Sequence, residues 1–142
     1  HGNEPSHHIS HLYNYVGQPW KTQELTDQIM KTMYKPQPDG LRGNEDCGQM
    51  SAWYVMNAMG FYQVCSGEPV YSIGRPMFDK VEIGLPRGGT FTIVVENNSM
   101  DNKYVEFIEL NGVKLETPFF NHSDIKDGAV LKVKMRDAPL KN

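Results

Sequence analysis

Basic charge is in short supply in this sequence. Lysine and arginine number 14 against 17 aspartates and glutamates, so the 142-residue chain carries a formal net charge of −3. A protein that grips nucleic acid by its phosphates needs a cationic patch, and that footprint is missing. No apolar stretch approaches the roughly 18 residues of a membrane-crossing helix. Cysteine is scarce: Cys47 and Cys65 lie 18 positions apart, which matches neither a zinc ribbon nor a CxxC motif and leaves the compartment open. The chain also opens without an initiator methionine and without a basic-then-apolar leader, and His1 falls inside what reads as a motif. The expectation is a segment of a longer chain, with the localisation signal and part of any active site outside it.

What is present suffices for a core, since hydrophobic residues make up 39% of the chain, enough for one ordinary domain or two small ones. Two textures follow one another. In PSHHISHLYNYVG, Ser6 offers a cap, and Ile9, Leu12, Tyr13 and Val16 fall at i, i+3, i+4 and i+7, which predicts a helix with that face inward. A second helix is expected from about Thr22, with Leu25, Ile29 and Met33 four apart, ending before Pro36. A third runs from about Gly48 to Met59 and stops at Gly60; it is apolar nearly all round, as helices buried on several sides are. From about Tyr71 the period becomes two. FDKVEI (78–83), TFTIVVE (90–96), KYVEFIEL (103–110) and VLKVKM (130–135) read as strands, with Asn111-Gly112 marking a tight hairpin and PVYSIGRP (69–76) as the connection. The fold class expected is α+β, with a helical part over 1–68 and an antiparallel β part over 69–142. Three such helices cannot bury their faces against a small sheet that has its own core to close, which again implies missing partner helices.

Two constellations could carry chemistry. HGNEPSHHISH holds four of the five histidines, and His7 and His11, four apart, could share one helical face as zinc ligands or could simply be packed and hydrogen-bonded. Glu4 precedes that helix on a loop, where an oxygen donor suits calcium, a cap or an ion pair. PDGLRGNEDCGQ (38–49) sets Asn44, Glu45 and Asp46 at or before the start of the third helix. Acids there can cap; the helix dipole would also keep a carboxylate ionised, as a general base must be. Trp53, further along, suits a core or a sugar site.

Taken together, GNEPSHH (2–8), YNYVGQPWKTQ (13–23) and GNEDCGQMSAWYV (43–55) resemble glycoside hydrolase family ninety-two, mostly bacterial calcium-dependent exo-α-mannosidases. The resemblance continues through MGFYQVCSG, YSIGRPMFDKVEI, FTIVVENNS, ELNG and NHSDIKDGAVLKV, nearly the whole chain. It implies the last helices of an (α/α)6 catalytic barrel followed by a closing antiparallel β-sheet or sandwich segment. It also implies inversion, in which an acid and a base carboxylate lie roughly 6.5–9.5 Å apart across the sugar. By the same resemblance Asp46 corresponds to the base, while the acid belongs to an upstream EGN motif absent here. Glu4, with Asn3, would hold Ca2+, which binds the 2- and 3-hydroxyls of the terminal mannose; His1, Asn44 and Gln49 would touch the substrate. The substrate implied is an α-mannoside or high-mannose N-glycan, probed at terminal, α-1,2-linked residues by a periplasmic or secreted parent. Asn44 stands where some members carry a second Asp assisting the base. Arg42 replaces a residue that is often Cys, and Gln63 and Ser66 replace prolines.

Two competing expectations stand beside this one. The chain could be a non-catalytic carbohydrate-binding or interaction module using its sheet face, or a scaffold that only completes a barrel. In either case an exposed barrel-facing surface would favour self-association of the isolated segment.

Overall fold

A computed structural model describes residues 1–141 of the chain. The N-terminal part is built of short turns before it becomes helical. Asn3 accepts from the Glu4 amide at 3.2 Å and starts a 3-10 turn over Glu4–Ser6. A second 3-10 turn over Ile9–His11 leads into α1, Leu12–Tyr15. Gly17, at φ 70°, reverses the chain, and Pro19 opens α2, Pro19–Thr32, at a position where its missing N–H is not needed. The third helix, α3, spans Gln49–Met59 and ends on Gly60 at φ 104°, a left-handed cap whose amide bonds back to the Met56 and Asn57 carbonyls.

The period of the first two helices is as expected, but the side that lies inward is not. Ile9, Leu12 and Val16 are 51%, 42% and 65% exposed, while His7, Ser10, His11 and Asn14 are buried. In α2 the buried residues are Thr22, Gln23, Thr26, Asp27 and Met30, with Leu25 and Ile29 only half covered. Some of these buried polar groups find partners: Asn14 Nδ2 donates to Ser72 Oγ and to the Ile73 carbonyl, and Gln23 Oε1 accepts from the Val105 amide. An apolar stripe shows that a helix has two unlike faces, not which neighbour each face will meet. Likewise α3 is buried on one side, through Met50, Trp53, Asn57 and Ala58, with Val55 left exposed.

Among the described residues eight strands follow: β1 Phe61–Tyr62, β2 Val70–Ile73, β3 Lys80–Gly84, β4 Thr90–Glu96, β5 Tyr104–Leu110, β6 Val113–Lys114, β7 Phe119–Asn121 and β8 Ala129–Arg136. They form a three-stranded sheet ordered β1-β2-β7 and a five-stranded sheet ordered β3-β4-β8-β5-β6. All pairings are antiparallel except β4 with β8, which run parallel from Phe91↔Ala129 to Glu96↔Lys134. The β5–β6 hairpin turns on Asn111 and Gly112, at φ 52° and 80°. The alternation in β4 and β8 sends Phe91, Ile93, Val95, Leu131, Val133 and Met135 to one side. There they share a core with Phe61, Ile73 and Phe120 of the smaller sheet and with Met56 and Met59 of α3. That shared core is what fixes α3, and with it the loops at its start, to the β layer.

Candidate active site

The two glycine-led motif loops cross each other. A Cβ added to Gly43 would stand 1.9 Å from the Gly2 carbonyl oxygen, and one added to Gly2 would meet the Arg42 carbonyl at 3.2 Å. Backbone approaches backbone at this point, and Gly2 and Gly43 both take positive φ, 113° and 81°. The crossing carries the side chains that follow each glycine to one place. Glu4 and Asp46 meet closely enough to share a hydrogen bond, so the Asp46 carboxyl is held above its ordinary pKa. That bond is the main cause, followed by partial desolvation and by the Glu4 charge.

Asp46 does not occupy a helix start. It lies at φ 43° in a left-handed turn continued by Cys47 at 57° and Gly48 at 86°, and only then does α3 begin. A non-glycine residue held there costs on the order of 1–3 kcal/mol. The expectation that a helix dipole keeps Asp46 ionised is therefore corrected: its nearest influence is Glu4, which favours the protonated form. Capping falls to Glu45, whose Oε1 accepts from the Ser51 amide and whose Oε2 accepts from Ser51 Oγ, both at 3.0 Å.

The residues of the two motifs are also joined by a cluster of rings. His1 stacks on His7 with centroids 4.8 Å apart, leans on Trp53 at 4.3 Å, and its Nε2 lies 2.8 Å from Tyr34 Oη. Tyr34 Oη donates to the Met50 carbonyl, so it accepts from His1. Trp53, parallel to Tyr34, donates its Nε1–H to the His7 carbonyl at 2.9 Å, tying the first motif to α3. Burial and the negative charge of Glu45 push the Tyr34 phenol upward. Gln49 Nε2 faces His7 Nδ1 at 3.3 Å and Tyr62 Oη at 3.5 Å, while Asn44 is exposed on the second motif loop.

The histidine pair is not a metal site. His7 Nε2 contacts Met50 Sδ at 3.1 Å, which with Gln49 on its Nδ1 uses both nitrogens. His11 sits in a separate buried chain: Asn14 Nδ2 donates to Ser72 Oγ, Ser72 reaches His11 Nδ1 at 2.9 Å, and His11 Nε2 reaches Asn57 Oδ1 at 2.8 Å. Asn57 Nδ2 donates onward to the Trp53 carbonyl, so its Oδ1 accepts and His11 Nε2 carries a proton, which leaves Nδ1 able to accept from Ser72 Oγ in the neutral ring. Burial agrees, lowering the His11 pKa to about 4 against the opposing bond to Asn57. His7 is lowered too, chiefly by burial. Among the described residues no three His, Cys, Asp or Glu side chains converge on one point.

The carboxyl pair lies on open surface. A groove of about 520 Å³ runs beside α3 between Tyr34, Leu41, Tyr54 and Val55. Another, of about 170 Å³, lies between Trp20 of α2 and Phe107 of β5. Neither is lined by Glu4 or Asp46. Sequence reasoning read Glu45 as a cap without naming Ser51, and it missed two participants, Tyr34 and the crossing itself. The signal for the last was available, since Gly-Asn-Glu occurs twice, at 2–4 and 43–45.

The model of the glycosyl hydrolase family 92 catalytic domain matches residues 1–137, and the chain belongs to that family. It is 39% identical, with a TM-score of 0.93 over 99% of its length, to a family GH92 alpha-mannosidase from Bacteroides thetaiotaomicron; it covers 19% of that chain. A family GH92 inverting mannosidase of the same organism gives 43% identity and a TM-score of 0.90 over 98% of this chain and 19% of that one. A curated relative from Arthroderma benhamiae, described as an uncharacterized secreted glycosidase, is 30% identical over 136 residues, 93% of this chain and 17% of that protein. The chain thus spans about a fifth of the length of these relatives.

Proposed function

We propose that this segment supplies the general base and a metal-holding carboxylate of an inverting, calcium-dependent exo-α-mannosidase acting on terminal α-1,2-linked mannosides. One observation carries this: the motif loops cross at Gly2 and Gly43 and bring Glu4 against Asp46. The relatives support the substrate, since one of the Bacteroides thetaiotaomicron alpha-mannosidases was solved with mannoimidazole. In this reading 1–68 belongs to the catalytic helical barrel, 69–142 is the β domain, and the full-length protein is secreted or periplasmic.

Asp46, at the exposed edge of the crossing, takes the proton of a water that attacks the anomeric carbon from the face opposite the leaving oxygen. The acid that protonates the leaving oxygen comes from elsewhere in the full-length protein. His1, fixed by Tyr34 and Trp53, offers a rigid edge to the sugar, and Asn44 and Gln49 offer amides on the same loop and at the start of α3.

A hard cation fits this place in kind. Glu4 offers carboxylate oxygens and Asn3 an amide oxygen, the hard donors such an ion takes, and its charge would relieve the crowding of Glu4 against Asp46. They are too few for a full shell of six to eight, so water, sugar hydroxyls and other parts of the full-length protein would complete it. A bound calcium would supply positive charge and ligate the sugar's 2- and 3-hydroxyls.

In a full-length protein carrying this segment, Asp46→Asn should lower kcat at least about a hundredfold with the fold intact, as general catalysis contributes roughly 10²–10⁴. A rate within about threefold of the unsubstituted enzyme removes Asp46 from the mechanism. Glu4→Gln should weaken calcium binding, read by calorimetry, by roughly tenfold or more. Unchanged binding would take Glu4 off the metal.

A further inference from the structure

Glu45 is the one acid of the second motif with no part in the reading above, yet it is the best anchored. Both its oxygens are engaged, one by the Ser51 amide and one by the Ser51 hydroxyl. Ser51 belongs to the first turn of α3, whose N-cap is Gly48, a residue with no side chain to satisfy that amide. Glu45 therefore reaches across residues 46–48 to do what the cap cannot. The bridged residues are the three consecutive left-handed ones, Asp46, Cys47 and Gly48. Two of them are not glycine, so the turn needs a hold from outside itself to keep its shape. The backbone agrees with a closed arc: the Gln49 amide bonds to the Asp46 carbonyl at 3.2 Å, and the Met50 amide lies 3.4 Å from the Glu45 carbonyl.

We propose that Glu45 is a positioning residue for Asp46: its bonds to Ser51 clamp the left-handed turn that aims the Asp46 carboxylate at Glu4 and the sugar. This rests on Asp46 being the base. The clamp acts on orientation, so its loss should reduce turnover and leave substrate affinity nearly unchanged. Glutamine at position 45 keeps an acceptor for the Ser51 amide and should preserve most of the function; alanine keeps none.

The test is steady-state kinetics of Glu45→Ala, Glu45→Gln, Ser51→Ala and Asp46→Asn in the full-length protein, with thermal unfolding of each and hydrogen exchange of the Ser51 amide. Glu45→Ala should lower kcat roughly tenfold or more, with KM within about twofold, and should expose the Ser51 amide to exchange. Glu45→Gln should restore kcat to within about threefold, and Ser51→Ala, which removes one of the two bonds, should fall between them. Should Glu45→Ala fail to fold, the order of Ser51→Ala and Glu45→Gln against the unsubstituted enzyme decides the matter in the same way. Glu45→Ala retaining full kcat while Asp46→Asn collapses overturns the clamp and leaves the base in place. Asp46→Asn retaining full kcat overturns both.

Discussion

His11 departs furthest from the condition of its side chain in water. Its ring has no exposed surface, and both nitrogens are engaged in a buried hydrogen-bonded chain. The sign of the resulting pH dependence follows from the lowered pKa. The folded state binds the His11 proton less readily than the unfolded chain, so the contribution is full above about pH 6.5 and is lost as pH falls toward about 4. The window is worth roughly 3 kcal/mol at 1.36 kcal/mol per unit. Urea unfolding of the chain between pH 7 and pH 4 should show this loss, and His11→Gln should flatten it; a ring titrating in NMR near its ordinary value would contradict the assignment. At the same scale the sequence identified Glu4 and Asp46 as candidates but misjudged what acts on Asp46. A carboxylate drawn beside a helix looks dipole-stabilised, whereas its φ of 43° and its neighbour Glu4 come from a crossing with a loop distant in sequence. Charge partners of that kind leave no periodic trace.

The element that assembles the site is the crossing of two loops, and its tolerance is small. Gly43→Ala would drive a methyl into the Gly2 carbonyl at 1.9 Å and also strain a φ of 81°. It should destabilise the chain by roughly 2–3 kcal/mol, read as a lower urea midpoint at unchanged slope, and should part Glu4 from Asp46. Gly17→Ala is the control: it shares the positive φ, at 70°, but meets nothing within 4 Å, so only the strain remains. An equal loss in both would deny the crossing its steric role. Elements with their own local signals were legible in the sequence. The alternating β4, the Asn111-Gly112 hairpin and the Gly60 stop of α3 lie where periodicity and glycine placed them. The short strands β1 and β7 were not, because two or three residues cannot show a period and their pairing with β2 is decided by the chain they meet. The parallel β4–β8 pair was hidden for the same reason: alternation fixes which face is buried, not the direction of the neighbour.

At the scale of the whole molecule, the N-terminal turns, α1 and much of α2 bury polar side chains, whereas α3 packs apolar ones into the core. Ile9, Leu12 and Val16 are exposed while their neighbours His7, Ser10, His11 and Asn14 are buried. Apolar surface of this kind seldom stays solvated, so residues 1–142 alone should self-associate in sedimentation as concentration rises, and Leu12→Glu with Val16→Glu should reduce this. Monomeric behaviour at all concentrations would show these side chains to be innocuous. The inward polar faces could not be foreseen from sequence, because hydrophobic patterning predicts burial only when every neighbour of a helix lies in the same chain segment. The central claim remains local: the acid of one motif and the acid of the other form one oxygen site for a mannoside. Its most direct measurement is a crystal structure of the full-length protein with calcium and mannoimidazole. The account predicts Glu4 on the ion and the Asp46 carboxylate within hydrogen-bonding reach of the water facing the anomeric carbon. An inhibitor seated elsewhere, with Glu4 and Asp46 touching neither ion nor sugar, would contradict it.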